Sequence, residues 1–563
     1  MQKLNFSTYS LLCGAAVGVL LSAHPAAAQT DTQIQSIEQQ IQALQSQLGQ
    51  VKSDLASRDS ALAAAQKQAK AAQAQAAAAT AQATQATQAS QAAQAAAAAA
   101  PAPVAQIVAA PVAPTDSTLP PGAFHVGGIT VTLGGFAAAE GITRSRNEAA
   151  GINSTYGGIP FANSPNYHIP EFRLTAQQSR FSMLTEGQID PAQKITGYLE
   201  TDFLSGGSSS NSNESNSYTL RMRQFWGSYD NTDQGWHVLG GQAWSLATMY
   251  KSGLTPRQEN VPLTIDAQYV VGFDWARQAQ VRVSKDFYDQ KLWAGLSIES
   301  PQTTFGSGAG PNCLTGGQAA TGLGGTLNYA QCGGPNENSI QSYSDNIAPD
   351  IIAKIAADPG WGHYEIYGLL QFMGGRVSYA TTGTGQNHQT TGAGIGGGMI
   401  LPLIPRKLDF QVSGLIGQGV GRYASGQLAD ATFSSTGAIE PLTEYSVMGG
   451  FVGHPIPTVD LYGYGGAEGV TARGLYGAAN TNLSGCQMEM GSCAAVTSGL
   501  VEGTVGGWWR IIHSNYGTVQ AGLQYEYINR NAFAGVGAVK GSMIAPTTND
   551  SMFLFSLRYL PFL

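Results

Sequence analysis

The stretch SMFLFSLRYLPFL, Ser551 to Leu563, ends the chain and alternates apolar with other residues at a period of two. One face of this stretch consists of Phe553, Phe555, Leu557 and Tyr559, and the other carries Ser556 and Arg558. Such alternation is typical of a β-strand that separates an apolar medium from water. In a transmembrane β-barrel the last strand pairs with the first to close the sheet. The alternative is an edge strand of a soluble β-sandwich.

The first 28 residues have the features of a secretory signal peptide. Lys3 precedes an apolar stretch around Leu11 to Leu21, and small residues follow at 26–28. This pattern predicts cleavage before Gln29 and export from the cytoplasm. Later in the chain no run approaches the roughly 20 apolar residues of a spanning helix. Any membrane insertion is therefore expected to use strands.

Composition agrees with many strands that are polar on one face, since 11% of residues are charged and the chain has 71 Gly and 23 Tyr. The formal net charge is −8. Nucleic-acid binding needs a basic footprint, so we expect no nucleic-acid partner. Nothing in the residue pattern indicates a metal or another cofactor.

Residues 29–65 are predicted to form a coiled coil. Apolar residues recur three and four apart, a heptad pattern that favours trimers or tetramers when Ile occupies both core positions. The core residues are Ile34, Ile37, Ile41, Leu44, Leu48, Val51 and Leu55. A single amphipathic helix lying on a surface is the alternative. Residues 66–122 are rich first in Ala and Gln and then in Pro, which indicates a spacer without a globular core.

Residues 123–563 are predicted to form an all-β transmembrane domain, an antiparallel barrel of about 16 strands. Short turns alternate with long Gly, Asn and Ser-rich connections, one of them at Thr381 to Thr390. A barrel of this size encloses a water-filled lumen rather than a packed core. Individual segments show the alternation, and we predict strands at Val270 to Phe287 and at Thr518 to Ile528. The final strand is expected to pair with Ile129 to Thr143.

Four cysteines lie in two close pairs within loop-like segments. An exported protein is expected to form disulfides, here Cys313 with Cys332 and Cys486 with Cys493.

Several charged residues are predicted to face the lumen by alternation. They are Arg180, Arg221, Arg223, Arg282, Arg558, Glu200, Asp202 and Asp274. Arginines opposed by a few carboxylates would select ions by sign. Equally, these charges would pair with each other and hold the barrel's shape. By analogy with porin third loops, Lys251 to Ile265 is the candidate for an inward-folded loop, with Lys251, Arg257 and Glu259 as possible pore-lining residues.

Gly392, Gly394 and Gly397 match a dinucleotide-binding pattern formally, but no strand-helix-strand context follows. We expect these glycines to mark a strand against which another backbone or subunit packs closely.

The sequence resembles the DcaP-like outer-membrane porins. The likeness is clearest in GAFHVGGITVTLGGF (Gly122 to Phe136), RLTAQQSRFSM (Arg173 to Met183), LRMRQFWGSYD (Leu220 to Asp230) and GGQAWSLATM (Gly240 to Met249). The order of signal, coiled coil, linker and barrel is also similar to the family. The resemblance implies a homotrimer with a periplasmic coiled coil, in the outer membrane of a Gram-negative bacterium. It also implies passage of small anionic, dicarboxylate-like solutes.

The sequence thus predicts a porin rather than an enzyme, with outer-membrane lipid and the barrel-assembly machinery as partners. The alternatives are an outer-membrane protease or lipase barrel, and a structural protein that anchors the envelope. Histidines are scattered, and the motifs H-E-x-x-H and G-x-S-x-G do not occur. A trimeric autotransporter would need only about four strands per chain, far fewer than this one offers.

Overall fold

A computed structural model of the 563-residue chain describes residues 122–204, 218–306, 318–320, 325–332, 342–379 and 381–562. Before residue 122 it describes only Gln45, Gly49, Lys52, Lys70 and Leu119. The predicted signal peptide, the coiled-coil core residues and most of the linker therefore lie outside the described residues.

The described residues form sixteen long antiparallel strands, each hydrogen-bonded to its neighbours. They are β1 (Ile129–Arg144), β2 (in two segments, Glu171–Thr175 and Arg180–Asp190), β3 (Gln193–Asp202), β4 (Arg221–Asn231), β5 (Trp236–Trp244), β6 (Arg277–Phe287), β7 (Leu292–Glu299), β8 (Asp350–Ala357), β9 (His363–Tyr379), β10 (Thr384–Ile404), β11 (Leu408–Gln418), β12 (Thr443–Ile456), β13 (Val459–Val470), β14 (Thr497–Ser514), β15 (Gly517–Ala532) and β16 (Thr547–Leu560).

Shorter elements either extend the barrel sheet, as Ala123–Val126 does by pairing with β1, or lie in the loops. The short strands are Ala123–Val126, Gln318–Ala320, Gly325–Asn328, Ala330–Cys332, Ser342–Ser344, Ala431–Phe433, Ile439–Pro441, Gly535–Val536 and Met543–Ile544. The 3-10 helices are Tyr156–Gly158, Pro165–His168 and Gly421–Tyr423.

The sheet closes on itself between β1 and β16, as the closing-strand prediction requires. Ala137 lies opposite Tyr559 and Arg144 opposite Met552. The other edge of β16 pairs with β15, from Thr518 opposite Leu560 to Asn531 opposite Thr547. The chain therefore forms a closed antiparallel barrel, and the predicted barrel is confirmed.

Alternation along the strands separates an outer apolar surface from a polar interior. In β16, Phe553, Leu557 and Tyr559 are exposed, whereas Ser556 is buried. In β6, Val281 is 59% exposed while Arg282 is 2% exposed. Apolar side chains on the outer surface, with polar side chains on the inner surface, are the pattern of a barrel that is embedded in a lipid membrane.

Two strand boundaries differ from the sequence prediction. β6 begins at Arg277 and not near Val270, because Gly272 takes a φ of +85° and the Phe273 N–H bonds the Val270 carbonyl. Because of that turn, residues 270–276 belong to the loop before β6 and not to the strand. β10 begins at Thr384, within the predicted long connection, because β9 and β10 remain paired up to Tyr379 and Thr384.

The interior is not a simple water-filled lumen, and this expectation is wrong for much of the barrel. Loop 3 (residues 245–276), with loop 1 (145–170) and loop 6 (419–442), brings apolar side chains inside. Two buried clusters result, which include Ile152, Phe273 and Leu428 in one and Leu246 and Tyr250 in the other. Burying these side chains contributes roughly 1.5 to 3 kcal/mol each, so the loop is a packed part of the fold.

The glycine-rich segment of β10 faces loop 3 and loop 6, as the predicted close packing requires. A Cβ atom on Gly398 would lie 2.5 Å from Met249 Sδ of loop 3, and one on Gly394 would lie 3.0 Å from Val420 Cγ1 of loop 6. Gly392, Gly394 and Gly397 thus lie on a barrel strand and not at the start of a helix.

Candidate pore and its third loop

Loop 3 is attached to one side of the barrel by groups on β8 and β9. Lys354 Nζ donates to the Thr248 carbonyl at 2.9 Å, and the Tyr250 N–H donates to Glu365 Oε2 at 3.1 Å. Lys354 Nζ also lies 2.6 Å from Glu365 Oε1, and both side chains are almost fully buried. A buried ion pair that also holds two backbone groups satisfies most of its own hydrogen-bonding capacity.

The same loop is attached to the opposite side of the barrel by its backbone N–H groups. The Val271 N–H donates to Glu502 Oε2 and the Gly272 N–H to Glu468 Oε1, each at 2.7 Å. Trp508 Nε1 on β14 donates to the Leu263 carbonyl at 2.7 Å. Loop 3 therefore crosses the barrel interior, as predicted for Lys251 to Ile265, although the inward segment extends to residue 276.

A cavity of about 440 Å³ lies between loop 3 and the strands β2 to β5 and β13 to β16. Its lining brings together five arginines: Arg180, Arg223, Arg257, Arg510 and Arg558. The aromatic side chains Tyr198, Trp244, Tyr269 and Trp508 share that lining with the carboxylates Glu200, Glu259, Asp266 and Asp460. Five guanidinium groups around one small space make it a candidate anion constriction.

A second cavity of about 770 Å³ lies toward the short turns and shares Arg257 with the first. Its lining is mixed in charge, with Glu186, Lys194, Asp230 and His237 among its members. Arg257 therefore stands where the two cavities meet. Its guanidinium carbon lies 5.1 Å from the Tyr198 ring centroid, within cation-π range.

Most of the predicted arginines in this region are paired with carboxylates. Arg223 contacts Glu200 through Nε and Asp202 through Nη1, the latter at 2.8 Å. Arg221 Nη2 lies 2.7 Å from Asp202 Oδ2. Arg558 Nη2 lies 2.7 Å from Glu140 Oε1, a partner that the sequence did not indicate. Pairing therefore neutralises much of the charge, as the alternative interpretation expected.

Two arginines of the smaller cavity are less neutralised. Arg180 is 3.7 Å from Glu200 Oε1, and its side chain is 26% exposed. Arg257 is exposed and makes no ion pair within 4.0 Å among the described residues. These two groups are the strongest candidates to attract an anion, because an unpaired charge keeps its field.

Five predicted pore-lining residues lie outside both cavity linings: Arg221 and Asp202, which pair with each other, and Arg282, Asp274 and Lys251. Arg282 faces inward but is 2% exposed, because loop 3 covers it and its Nη2 donates to the Trp244 carbonyl at 2.5 Å. Asp274 lies on loop 3 and not on a strand, and it is buried against Ser446. Lys251 is exposed but belongs to neither cavity lining. The period-two alternation correctly predicted that Arg282 faces the barrel interior, but it could not show that loop 3 covers this side chain.

Arg510 and Trp508 are lining residues that the sequence interpretation missed. Both follow Glu502 and Thr504 at even spacing on β14, so the period-two pattern would have found them. Tyr269 was also missed; it lies on loop 3 with a φ of +74° and contacts Arg223 through its hydroxyl at 3.4 Å. No local sequence signal indicates that contact.

Burial changes the acidity of carboxyl groups on loop 3. Burial raises the pKa of Glu259 to about 7, although nearby backbone N–H groups and Arg282 act in the opposite direction. At neutral pH the group is thus divided between its two protonation states. The charge of the cavity is accordingly expected to vary with pH.

One of the two predicted disulfides is present. Cys486 and Cys493 are joined, with an S–S distance of 2.07 Å. Cys313 and the Cys332 side chain lie outside the described residues. Among the described residues, no cluster of three or more His, Cys, Asp or Glu side chains is arranged to hold a metal ion. Within the same residues we find no helix of sufficient length and hydropathy to cross a membrane.

A closed barrel of sixteen strands, with short turns at one end and an inward third loop, defines the fold class of outer-membrane porins. Among solved structures, the chain is similar to the outer-membrane channel DcaP of Acinetobacter baumannii, with 17% identity and a TM-score of 0.51. The match covers 78% of this chain and 100% of that chain. The resemblance to DcaP-like porins is thereby confirmed at the level of the fold.

A second similar structure is the anion-selective porin from Comamonas acidovorans, with 11% identity and a TM-score of 0.41. That match covers 77% of this chain and 99% of that chain. No family model matches the chain, and neither does any curated protein.

Proposed function

We propose that the protein is an outer-membrane porin through which small hydrophilic solutes diffuse passively, with a preference for anions such as dicarboxylates. The observation that carries this proposal is the cavity between loop 3 and the barrel wall, where five arginines meet. The porin fold supports the transport role, and the arginines support the sign of the preferred solute. In this proposal the chain transports and does not catalyse a reaction.

The anion preference depends on the arginines that are incompletely neutralised. Arg180 and Arg257 supply positive charge at the cavity, while Glu200 and Asp202 are already engaged by Arg221 and Arg223. A small anion would replace part of its hydration by guanidinium donors, which suit carboxylates because they can bind both oxygens. The carboxylates in the lining would keep binding weak enough for release.

Planar-bilayer recording tests the proposal directly. Purified protein is expected to give conductance steps, and a salt gradient is expected to give a reversal potential that favours anions. A panel of mono- and dicarboxylates added to one side is then expected to reduce the current in a graded way. A reversal potential that favours cations would remove the anion assignment but leave the porin assignment intact.

We also propose that the protein is a homotrimer whose coiled coil, with its core from Ile34 to Leu55, lies in the periplasm. Supporting this are the heptad pattern and the resemblance to DcaP-like porins. Deletion of residues 31–62 is expected to weaken the trimer without abolishing the barrel. Native electrophoresis after stepwise heating measures this effect, and an unchanged transition of the trimer would contradict the role.

The outer surface of the barrel supports a location in outer-membrane lipid. Large apolar side chains are exposed on many strands; examples are Phe225, Ile366, Val505 and Phe553. Insertion is proposed to require the barrel-assembly machinery, because β16, which closes the barrel against β1, carries the aromatic alternation. Membrane fractionation of cells that express the protein tests the location.

A further inference from the structure

Four neighbouring strands present a row of inward-facing glutamates to the loops. They are Glu444 on β12, Glu468 on β13, Glu502 on β14 and Glu526 on β15, all 3% exposed or less. Three of them accept hydrogen bonds from backbone N–H groups of loop 3 or loop 6. Glu468 accepts from Gly272 at 2.7 Å and Gly426 at 2.8 Å, and Glu502 accepts from Val271 at 2.7 Å. Glu444 accepts from Val420 at 2.6 Å and Gly421 at 2.7 Å. We call this set the glutamate row. It holds the far side of loop 3 against the barrel.

Loop 3 places two carboxyl groups of its own against this row. Asp266 and Asp274 are 1% and 3% exposed. Asp266 accepts from the Ser154 N–H of loop 1 at 3.2 Å, and Asp274 accepts from the Ser446 hydroxyl of β12. Like charges brought together in a buried site cannot all ionise without a large cost.

The cations near these groups are too few to balance them. Facing Asp274 are Glu468 on β13, Lys354 on β8 and Tyr367 on β9, and Lys354 is already paired with Glu365. The groups that face Asp266 on loop 1 and the barrel are Arg144, Glu148, Tyr156, Glu502 and Glu526. Arg144 is itself 2.9 Å from Glu171.

Several carboxyl oxygens of this cluster are buried with no hydrogen-bond partner among the described residues. They are Asp274 Oδ2, Glu444 Oε1, Glu502 Oε1 and Glu526 Oε1. A bare carboxylate oxygen in a buried site is costly, whereas a protonated carboxyl group carries no net charge. The seated loop is therefore compatible with carboxyl groups that hold protons.

We propose that loop 3 is a pH-dependent lid, seated against the glutamate row at low pH and released from it as Asp266, Asp274 and the row ionise at high pH. This inference rests on the proposed porin function, because release of the lid would widen the path between loop 3 and the barrel wall. The backbone N–H groups of Val271 and Gly272 would then exchange Glu502 and Glu468 for water.

The acidity of the loop carboxyl groups agrees with this direction. Burial raises the pKa of Asp274 to about 8, with Glu468 adding to the shift, and burial also raises the pKa of Asp266. A group whose pKa is higher in the seated state stabilises that state at low pH, and this stabilisation is lost as pH rises through the raised value. The lid is therefore expected to leave its seat above about pH 8.

Conductance measured against pH in planar bilayers is the first test. The unmutated protein is expected to conduct more at roughly pH 9 than at roughly pH 6, because the ratio of ionised to protonated Asp274 rises about tenfold for each pH unit and the released loop leaves a wider path. Asp274→Asn keeps an oxygen that can accept from the Ser446 hydroxyl but cannot ionise. This variant is expected to lose most of the pH dependence and remain at the low conductance level.

The matched control is Asp233→Asn, which removes an exposed carboxylate in the short turn between β4 and β5, outside both cavity linings. Its pH dependence should equal that of the unmutated protein. A conductance that does not change between the two pH values, or an Asp274→Asn variant that keeps the full pH dependence, would overturn the proposal.

A labelling test separates failure of the lid from failure of the porin function. Val271 is fully buried on loop 3, so a cysteine in Val271→Cys should react with a water-soluble thiol reagent only when the loop is released. The unmutated chain serves as the blank for its native cysteines. Thiolate formation alone speeds labelling as pH rises, so the rate for Val271→Cys is divided by the rate for Lys251→Cys, an exposed position on the same loop. A higher ratio at about pH 9 than at about pH 6 supports the lid even if no conductance is seen, which would instead contradict the porin function. An equal ratio at both pH values would overturn the lid.

Discussion

The two sides of loop 3 contact different kinds of side chain. Toward β8 and β9 the loop packs Leu246, Tyr250 and Leu254 against apolar side chains and encloses the Lys354 and Glu365 pair. Toward β2 to β5 and β13 to β16 it leaves a cavity lined by arginines and aromatic rings. The packed side holds loop 3 in place, and the open side provides a path for solutes and the charges that line it. Charged residues of similar type accordingly have different consequences on the two sides.

The largest effect is expected on the packed side, from Lys354→Met. This change leaves Glu365 buried with only His363 Nε2, at 3.1 Å, as a partner that can carry positive charge, and breaking a buried pair costs about 3 to 5 kcal/mol. Loop 3 should also lose the hydrogen bond to the Thr248 carbonyl. Stepwise heating of the folded barrel, read by electrophoresis, measures the loss. Lys194→Met, at a pair that is more than one third exposed, is the control, and an equal loss in both variants would contradict the comparison.

A smaller loss of stability with a change in selectivity is expected for Arg223→Met, at the border of the cavity. Arg223 holds Glu200 and Asp202, and hydrogen bonds to charged groups contribute about 1.5 to 3 kcal/mol. Removing the cation also leaves two carboxylates beside the cavity, so the reversal potential should shift toward cations. Loss of stability with an unchanged reversal potential would assign Arg223 to barrel shape alone.

On the open side, Arg257→Gln should change selectivity but hardly change stability. Its guanidinium is exposed and unpaired among the described residues, and substitutions of exposed residues usually stay within about 0.5 kcal/mol. Anion preference should fall in a salt gradient. Lys251→Gln removes an exposed cation of the same loop outside both cavity linings. If the two variants shift the reversal potential equally, the position of Arg257 between the cavities has no special importance.

The smallest effect on conductance is expected from the double change Cys486→Ser and Cys493→Ser. The disulfide closes a short segment of the loop between β13 and β14, away from the cavity linings. Its loss should make that segment more sensitive to protease, because it increases the freedom of a closed loop. Single-channel conductance and reversal potential should stay unchanged. A clear change in either would show that this loop contributes to the path.

The sequence was sufficient for the barrel but insufficient for its contents. Period-two alternation in β6 and β16 predicted which side chains face inward, and the final strand predicted closure with β1. The Cys486 and Cys493 pair was also predicted, from the close spacing of the two cysteines and the expected export of the chain. Each of these features depends on neighbours in sequence or on the fixed geometry of a strand, so local patterns carry the information.

The arrangement inside the barrel depends on contacts between residues that are distant in sequence. Arg282 and Arg223 both face inward by alternation. Loop 3 covers Arg282, whereas Arg223 lines the cavity. Gly272 turns the chain at the point where Asp274 would otherwise have continued a strand. No periodicity encodes where a loop of 32 residues, 245–276, will cross a barrel.

The sequence by itself thus determined the number of strands, their faces and the closing pair. In an apolar membrane every backbone N–H and C=O group must be hydrogen-bonded within the protein, and few folds other than a closed barrel allow strands to do this. Only the tertiary structure decided which inward charges line a cavity and which are buried in pairs. That division follows from loop 3, which is attached by the Lys354 and Glu365 pair on one side and by the glutamate row on the other. These attachments join residues up to 231 positions apart, a distance over which no local pattern extends.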